Sequence, residues 1–252
     1  MEIFGFIPAR YDSTRFPGKP LAQIAGKPMI QHVYERALTC ENLSQVYVAT
    51  DDERIAACVR GFKGKTVITE KGHVSGTDRI CEAAVKIGLG KEDIVVNIQG
   101  DQPLFHPSLA SQLVEPFLED GSVVMTTLKF RITDPEEIGN PNHVKVVTDF
   151  KGNAIYFSRC SIPFTRDPHA DSFYYKHLGF YGFRMEFLEQ FTRLPQGELE
   201  SLEKLEQLRA LESGYKIRVL ESPFDSIEVD IPEDIRKIEK ALFLSTDFCP
   251  LK

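Results

Sequence analysis

The alternation of apolar runs with helical patterns constrains the fold of this chain more than any other feature. Four apolar runs in the first half have the length of strands: Ile3 to Ile7, Gln45 to Ala49, Thr66 to Thr69 and Ile94 to Ile98. Segments with helical spacing lie between them, at Pro28 to Thr39, Asp52 to Val59 and Thr77 to Ile87. Strands separated by helices of this length need crossover connections, which favour a mostly parallel sheet covered on both faces. The pattern therefore predicts an α/β fold.

The pattern changes after about residue 130. A helix carrying Leu109, Leu113 and Phe117 and a strand at Val123 to Phe130 precede the change. Further strands are predicted at His143 to Thr148, Asn153 to Arg159, Tyr175 to Phe183 and Lys216 to Leu220. Further helices are predicted at Met185 to Arg193, Glu200 to Glu212 and Pro232 to Leu244. No linker or repeat interrupts the chain, so we expect one domain over residues 1–252 with a mixed-sheet insertion at about 130–185.

Charge and cysteine content limit the partners of the chain. Its 252 residues carry a net charge of −7 and no dense Lys/Arg run, so we expect no nucleic-acid partner. The five scattered cysteines have no metal or CxxC spacing, which predicts reduced thiols in the cytoplasm. The start lacks the pattern of a signal peptide, and no apolar run approaches the roughly 18 residues of a membrane span, so no membrane partner is expected.

The stretch Pro8 to Pro20 is predicted to be a loop, because it has neither a 2-residue nor a 3.6-residue apolar period. It contains the cations Arg10, Arg15 and Lys19 together with Ser13, Thr14 and Gly18. Cations, hydroxyls and a glycine on a loop after a strand suit a polyphosphate. A basic surface loop with ordinary turn residues would contain the same residues, so this stretch alone leaves both interpretations open.

Familiar phosphate-binding motifs are missing from the sequence. It has no GxGxxG, and Gly64-Lys65-Thr66 resembles the end of a Walker loop only by chance, since Val59 stands at the earlier glycine position. A nucleotide would therefore be bound by another design.

Two aspartates are candidate ligands of Mg²⁺. Asp101 follows an apolar strand, and a carboxylate at a strand's end often ligates this ion, although Asp-Gln-Pro is also a common turn. Asp230 precedes the last predicted helix and could simply cap it. If it is paired with Asp101, it becomes a second carboxylate for the same ion.

Two other motifs also have two interpretations. In the motif Ser75 to Arg79, Ser75 or Thr77 can cap the next helix, while Gly76 and Arg79 at a free helix N-terminus could bind an anion or a base edge. Lys176-His177 could contact a sugar or a carboxylate, but a lone histidine is often structural.

These motifs occur in an order that resembles one enzyme family, the 3-deoxy-manno-octulosonate (KDO) cytidylyltransferases. The resemblance covers about Ile3 to Lys237. It rests on PARYDSTRFPGKP (8–20), SGTDR (75–79), QGDQP (99–103), AIYFSR (154–159) followed by Ile162-Pro163, KHLG (176–179), LEQLR (205–209) and VDIPED (229–234). The first motif is shared with other sugar nucleotidyltransferases, whereas the later ones are specific to the KDO branch.

The chain departs from the family pattern at four positions. Phe16 replaces a usual leucine, Asp78 and Gln102 each replace a usual glutamate, and Phe164 replaces a usual tryptophan. These departures resemble a sub-branch that acts on the 8-amino-8-deoxy form of the sugar. The sequence therefore leaves the choice between the two sugars open.

The resemblance implies a fold and a reaction. The fold is a Rossmann-like nucleotide-binding sheet, mostly parallel and flanked by helices, with a mixed-sheet region for sugar binding and for a homodimer. The reaction combines CTP with the eight-carbon sugar acid, with Mg²⁺ as cofactor, to give the CMP-sugar and pyrophosphate for lipopolysaccharide core synthesis.

The resemblance also implies roles for particular residues. The catalytic residues would be Arg10, Arg15, Lys19 and Asp101. The nucleotide would be bound by Pro8, Ala9, Arg10, Ser13, Lys19, Ser75, Gly76, Arg79 and Gln99. The sugar acid would be bound by Gln99, Gln102, Arg159, His177, Glu206 and Gln207, with Arg159 facing its carboxylate. Asp101 and Asp230 would hold the metal, and no His or Cys is placed as an obvious general base.

Two other functions remain open on the sequence. A glycosyltransferase that uses a nucleotide sugar has a related fold, but it typically brings two acids one residue apart to its metal, and Asp101 is flanked by Gly100 and Gln102. A non-catalytic member of the fold could have lost the loop cations or Asp101, and this chain retains them.

Overall fold

The computed structural model describes residues 1–12, 16–167 and 173–244. The strands, in chain order, are β1 Ile3–Ala9, β2 Gln23–Ile24, β3 Lys27–Pro28, β4 Gln45–Thr50, β5 Thr66–Ile68, β6 Ile94–Asn97, β7 Met125–Arg131, β8 Lys145–Thr148, β9 Ala154–Ser158, β10 Tyr175–Arg184 and β11 Arg218–Glu221. The α-helices are α1 Met29–Ala37, α2 Glu53–Gly61, α3 Gly76–Lys86, α4 Ser108–Glu119, α5 Pro135–Gly139, α6 Met185–Phe191, α7 Glu198–Glu203, α8 Leu208–Glu212 and α9 Asp234–Leu244. A 3₁₀ turn covers Lys19–Leu21.

The chain divides into two compact units. The first contains residues 2–89, 97–108 and 226–252, and the second contains residues 1, 90–96 and 109–225. Each unit is assembled from separate stretches of the chain. The expectation of one domain with an insertion at about 130–185 stays a prediction.

The first unit contains the parallel α/β arrangement that the sequence predicts. Strand β4 pairs in parallel with both β1 and β5. Helix α1 connects β1 to β4, and α2 connects β4 to β5. The apolar residues at helical spacing, Ile30 and Val33 in α1 and Ile55 and Val59 in α2, are fully buried. Burial of these helix faces against the sheet stabilises the unit.

A small hairpin in the first unit was not predicted from the sequence. Strands β2 and β3 are antiparallel, and the turn between them contains Ala25 and Gly26, both at positive φ. Ala25 N donates to Glu239 Oε1 of α9 at 3.0 Å. Ile24 of the hairpin also shares a buried cluster with Val229 and Ile238. The hairpin therefore fixes the last helix and the turn that leads into it.

The second unit contains a mixed sheet. Its strands follow the order β11–β7–β10–β6, with β8 on β10 and β9 on β8. Strand β7 runs parallel to β11 but antiparallel to β10. The change from parallel to mixed pairing agrees with the change of pattern that the sequence shows after about residue 130. The α/β fold class is thus confirmed.

The prediction of a single helix at Glu200 to Glu212 was wrong. Helix α7 ends at Glu203, because Lys204 adopts the left-handed conformation with φ of 55°, and α8 begins at Leu208. A buried ion pair joins the two helices, with Arg209 Nη2 2.6 Å from Glu200 Oε1. Glu206 and Gln207 consequently lie in the break between the helices and not on a helix face.

Two further expectations concern thiols and membranes. Cys40, Cys58, Cys81 and Cys160 are free thiols, as predicted, and Cys249 lies outside the described residues. Within residues 1–12, 16–167 and 173–244, no helix combines the length and the apolar character needed to cross a bilayer.

Candidate active site

A cavity of about 260 Å³ opens in the first unit. Four stretches of chain supply most of its wall: the end of β1, the 3₁₀ turn, the loop before α3 and the segment after β6. The lining residues are Pro8, Ala9, Arg10, Lys19, Pro20, Met29, His73, Val74, Ser75, Gly76, Arg79, Gln99, Gly100 and Asp101. Every residue predicted to bind the nucleotide lies in this wall, except Ser13, which falls outside the described residues together with the predicted catalytic residue Arg15.

Two glycines allow these stretches to approach one another. A Cβ atom at Gly76 would lie 3.2 Å from Cγ of Pro8, and one at Gly100 would lie 3.0 Å from the carbonyl oxygen of Pro8. A side chain at either position would require its neighbours to move by a few tenths of an ångström. The glycines of both motifs therefore allow the segments to meet closely around Pro8.

The end of the basic loop is held in a defined conformation. Gly18 has a φ of +71°, and its N–H donates to the carbonyl oxygen of Tyr11 at 2.8 Å. The ring of Tyr11 packs under the Arg54 guanidinium, whose central carbon lies 3.3 Å from the ring centroid. Since Lys19 directly follows Gly18, this turn fixes the point from which the Lys19 side chain leaves the backbone.

Lys19 connects the loop to both aspartate motifs. Its Nζ donates to Asp101 Oδ2 at 2.6 Å and to the carbonyl oxygen of Val229 at 2.8 Å. Val229 N in turn donates to the carbonyl oxygen of Asp101 at 2.9 Å. The Lys19 and Asp101 side chains are 15% and 23% exposed, so their pairing is only partly screened by water. The segment that carries Asp230 thus lies beside Asp101.

The donors at this point fit a hard divalent cation. The described residues contain no group of three or more His, Cys, Asp or Glu side chains that could hold a metal. Mg²⁺ does not need such a group, because it commonly takes one or two carboxylates and completes its shell with water and phosphate oxygens. Two carboxylates are suitable, those of Asp101 and Asp230. Asp101 lies in the cavity wall, and Asp230 directly follows Val229, whose N–H bonds to the backbone of Asp101.

The start of α3 combines a helix cap with a buried ion pair. Ser75 Oγ accepts a hydrogen bond from Asp78 N at 3.1 Å, which confirms its capping role. Arg79 is only 4% exposed, and its guanidinium donates to Thr69 Oγ1 at 2.6 Å and lies 3.1 Å from Asp51 Oδ2. Because Asp51 neutralises Arg79, the arginine stabilises the cavity wall. Arg10, by contrast, is exposed.

His177, a predicted sugar-binding residue, lies in the second unit. Its ring packs against Phe157 and Tyr181, with centroid distances of 5.0 and 5.4 Å. Burial lowers the pKa of His177 to about 3, so the ring is neutral near pH 7. Thr127 Oγ1 donates to the carbonyl oxygen of Phe180 at 2.7 Å and lies 2.9 Å from Nε2 of His177. His177 can therefore hydrogen-bond a sugar but supplies no positive charge.

Arg159 has structural partners in the second unit. Its guanidinium donates to the carbonyl oxygens of Glu203 at 2.7 Å, Pro141 at 2.9 Å and Lys204 at 3.4 Å. Its backbone N–H donates to Glu203 Oε2 at 3.0 Å. These bonds hold the break after α7. A contact between Arg159 and the sugar carboxylate stays a prediction.

Two predicted sugar-binding glutamines carry buried polar atoms. Gln102 of the first unit and Gln207 of the second are 6% and 4% exposed. Among the described residues, Gln102 Oε1 and Gln207 Nε2 have no hydrogen-bond partner. A buried polar atom without a partner costs about 1–3 kcal/mol, so both atoms are suited to a bound ligand. Gln99 lies in the cavity wall of the first unit, and Glu206 precedes Gln207 in the second.

Several residues of the wall were not predicted from the sequence as binding residues. Pro20, Met29, His73 and Val74 line the cavity, and Asp51 pairs with Arg79 behind it. His73 could have been noticed, because it stands two residues before Ser75 in the same loop. Nothing in the local sequence connects Asp51 to Arg79, since only the fold brings β4 and α3 together.

Comparisons with known proteins agree with this geometry. Residues 4–217 match the family described as Cytidylyltransferase. The chain is 56% identical over 243 residues to the 8-amino-3,8-dideoxy-manno-octulosonate cytidylyltransferase of Shewanella piezotolerans, covering 96% of this chain and 99% of the relative. It is 54% identical over 241 residues to the 3-deoxy-manno-octulosonate cytidylyltransferase of Syntrophus aciditrophicus, covering 96% and 97%.

A solved structure extends the comparison to three dimensions. It is described as CMP:2-keto-3-deoxy-manno-octonic acid synthetase complexed with CTP, and it superimposes with a TM-score of 0.90 at 40% identity over 96% of this chain and 99% of the other. The match to the family covers most of the chain, and the relatives match over nearly their full length. The chain therefore belongs to the cytidylyltransferase family and is a nucleotidyltransferase.

Proposed function

We propose that this enzyme transfers the cytidylyl group of CTP to KDO or to its 8-amino-8-deoxy analogue. The products are the CMP-sugar and pyrophosphate. The observation that carries the proposal is the cavity of the first unit, which is lined by Arg10, Lys19 and Asp101 among other residues. The chain is also 54–56% identical to enzymes named for these two activities. The glycosyltransferase alternative has no comparable support.

In the proposed reaction, the anomeric 2-hydroxyl of the sugar attacks the α-phosphorus of CTP. A new P–O bond forms, the hydroxyl loses its proton to water, the bond from the α-phosphorus to the bridging oxygen breaks, and pyrophosphate leaves with that oxygen. Phosphoryl transfer of this kind depends mainly on positioning and on neutralising charge. Arg10 and Lys19 would hold the triphosphate and stabilise the leaving group, and Arg15 would join them.

The metal is part of this proposal. Asp101 and Asp230 would hold Mg²⁺, which when bound supplies charge neutralisation at the α-phosphate. Lys19 Nζ lies 2.6 Å from Asp101 Oδ2, so the ammonium proposed for the triphosphate stands beside the carboxylate proposed for the metal.

The proposed contacts of the sugar acid rest on the family resemblance, and they are Gln99, Gln102, Arg159, His177, Glu206 and Gln207. Since His177 is neutral, the charge opposite the sugar carboxylate must come from another group, and Arg159 remains our candidate. The homodimer, the cytoplasmic location and the role in lipopolysaccharide core synthesis are further parts of the proposal and rest on the family resemblance.

One assay tests this function. Pyrophosphate release is measured with CTP, UTP or ATP in the presence of Mg²⁺ and either KDO or its 8-amino analogue. We expect release with CTP alone among the nucleotides, and only when a sugar is added. Comparing kcat/KM for the two sugars identifies the natural substrate. Release without any sugar, or equal rates with all three nucleotides, would contradict the proposal.

A further inference from the structure

One wall of the cavity is formed by the loop between β5 and α3. His73, Val74, Ser75 and Gly76 are consecutive lining residues. Ser75 and Gly76 belong to the motif Ser75 to Arg79, whereas His73 and Val74 lie outside it. The ring of His73 has two nitrogen atoms, and one of them, Nε2, contacts Glu82.

Glu82 of α3 holds this loop at two points. Its Oε1 and Oε2 accept from Glu70 N at 3.1 and 2.9 Å, and its Oε2 also accepts from Nε2 of His73. On its outer side, Glu82 pairs with Lys86, which also donates to the carbonyl oxygen of Ile68 at 2.9 Å. The side chains of His73 and Glu82 are 21% and 19% exposed. Glu82 therefore fixes the loop through its contacts with Glu70 and His73.

The ionisation of Glu82 determines which nitrogen of His73 carries a hydrogen. Burial alone would raise the pKa of Glu82, but hydrogen bonds from Lys86, His73 and Glu70 N lower it to about 2. Glu82 is thus a carboxylate near neutral pH and can only accept. Nε2 of His73 must then carry the hydrogen of this bond, which leaves Nδ1 as the ring nitrogen available to a ligand. Among the described residues, His73 makes no hydrogen bond other than that to Glu82.

We propose that His73 is a nucleotide-binding residue whose Nδ1 forms a hydrogen bond with the nucleoside part of CTP. This inference rests on the proposed function. Arg10 and Lys19 are the proposed contacts of the triphosphate and line the same cavity as His73, which leaves the nucleoside for the loop that carries His73. The ribose hydroxyls and the 4-amino group of cytosine are the groups proposed to meet Nδ1. Glu82 is then a positioning residue that fixes the ring of His73.

The test measures CTP binding by calorimetry with Mg²⁺ and no sugar, so that no turnover occurs. In His73→Gln, the amide reaches the place of Nε2 and preserves the contact with Glu82, but nothing replaces Nδ1. We expect this variant to bind CTP about 3- to 10-fold more weakly, which is the effect of one hydrogen bond. The matched control is Glu70→Gln in the same loop, whose exposed side chain should leave the affinity unchanged.

Nucleotide analogues identify the group of CTP that His73 contacts. The affinities of 2′-deoxy-CTP, 3′-deoxy-CTP and a CTP analogue without the 4-amino group are compared with that of CTP in both proteins. The analogue that lacks the group contacted by His73 should bind the wild-type protein more weakly than CTP does. The same analogue and CTP should bind His73→Gln with equal affinity.

Each result has a distinct meaning. If wild-type protein binds no CTP, the proposed function itself fails. If wild-type protein binds CTP and His73→Gln binds it equally well, the proposal for His73 is overturned. The proposal is also overturned if His73→Gln binds CTP more weakly but loses as much affinity as the wild type with every analogue, since His73 would then only support the loop.

Discussion

Lys19 Nζ lies 2.6 Å from Asp101 Oδ2, so the cation proposed for the triphosphate pairs with the carboxylate proposed for the metal. The same ammonium bonds to the carbonyl oxygen of Val229, next to Asp230. Lys19 therefore holds together the segments that carry both predicted metal ligands. The pair places a positive and a negative group side by side in the cavity, where the proposed reaction needs one group for the phosphates and one for the metal.

Replacing Lys19 should reduce catalysis strongly. We expect Lys19→Ala to lower kcat by about 100-fold or more, because it removes one charged contact to the transition state. Steady-state kinetics with saturating CTP and sugar provide the measurement. Lys27→Ala is the matched control, since Lys27 is an exposed lysine paired with Glu35. Equal effects of the two substitutions would show that Lys19 has no special role.

Replacing Asp101 should abolish turnover and leave the fold nearly intact. Asp101→Asn keeps the size of the side chain but removes the charge that both Lys19 and the proposed metal require. Turnover is measured over a range of Mg²⁺ concentrations, and circular dichroism reports on the fold. Asp120→Asn, at an exposed turn that Asp120 stabilises through Ser122, is the control. Near-normal turnover of Asp101→Asn would remove Asp101 from the metal site.

Adding one methyl group at Gly76 should weaken nucleotide binding. The new Cβ of Gly76→Ala would lie 3.2 Å from Cγ of Pro8, so Pro8 or the start of α3 would have to shift by a few tenths of an ångström. We expect the KM for CTP to rise several-fold. Gly61→Ala serves as the control, because a Cβ there meets no atom within 4 Å. If both variants have wild-type kinetics, the approach of Gly76 to Pro8 does not shape the site.

The elements of the first unit were predictable because each has a local cause. Residues at helical spacing in α1 and α2 are buried as their pattern requires, and Ser75 caps α3 as its motif indicates. The loop from Pro8 to Pro20 and Asp101 were both expected beyond strand ends, and Lys19 Nζ lies 2.6 Å from Asp101 Oδ2. These inferences need only the periodicity of the chain and the rule that ligands bind beyond strand ends.

Other features depend on contacts between distant segments. The break at Lys204 follows from a left-handed residue and from carbonyls that bond to Arg159, neither of which has a helical signature in the sequence. The neutral state of His177 depends on its burial between Phe157 and Tyr181. The pairing of Glu82 with His73 joins a helix face to a loop nine residues earlier. Such relationships arise from tertiary packing and leave no local pattern.

The contacts of Glu82 predict a pH dependence of stability. The pKa of Glu82 in the folded protein is about 2, below its ordinary value of 4.5. A group with a lowered pKa stabilises the folded state fully above the ordinary value, and this contribution is lost as the pH falls through the folded value. The free energy of unfolding of Glu82→Gln should therefore be lower than that of the wild type at pH 7. The difference should shrink between pH 4.5 and pH 2.

Urea unfolding of both proteins over this pH range provides the measurement. Glu70→Gln is again the control, because its side chain is exposed and its effect should not vary with pH. A difference between Glu82→Gln and the wild type that stays constant from pH 7 down to the acid range would mean that the substitution acts through packing. In that case the carboxylate charge does not hold the loop, and the hydrogen on Nε2 of His73 would lose its explanation.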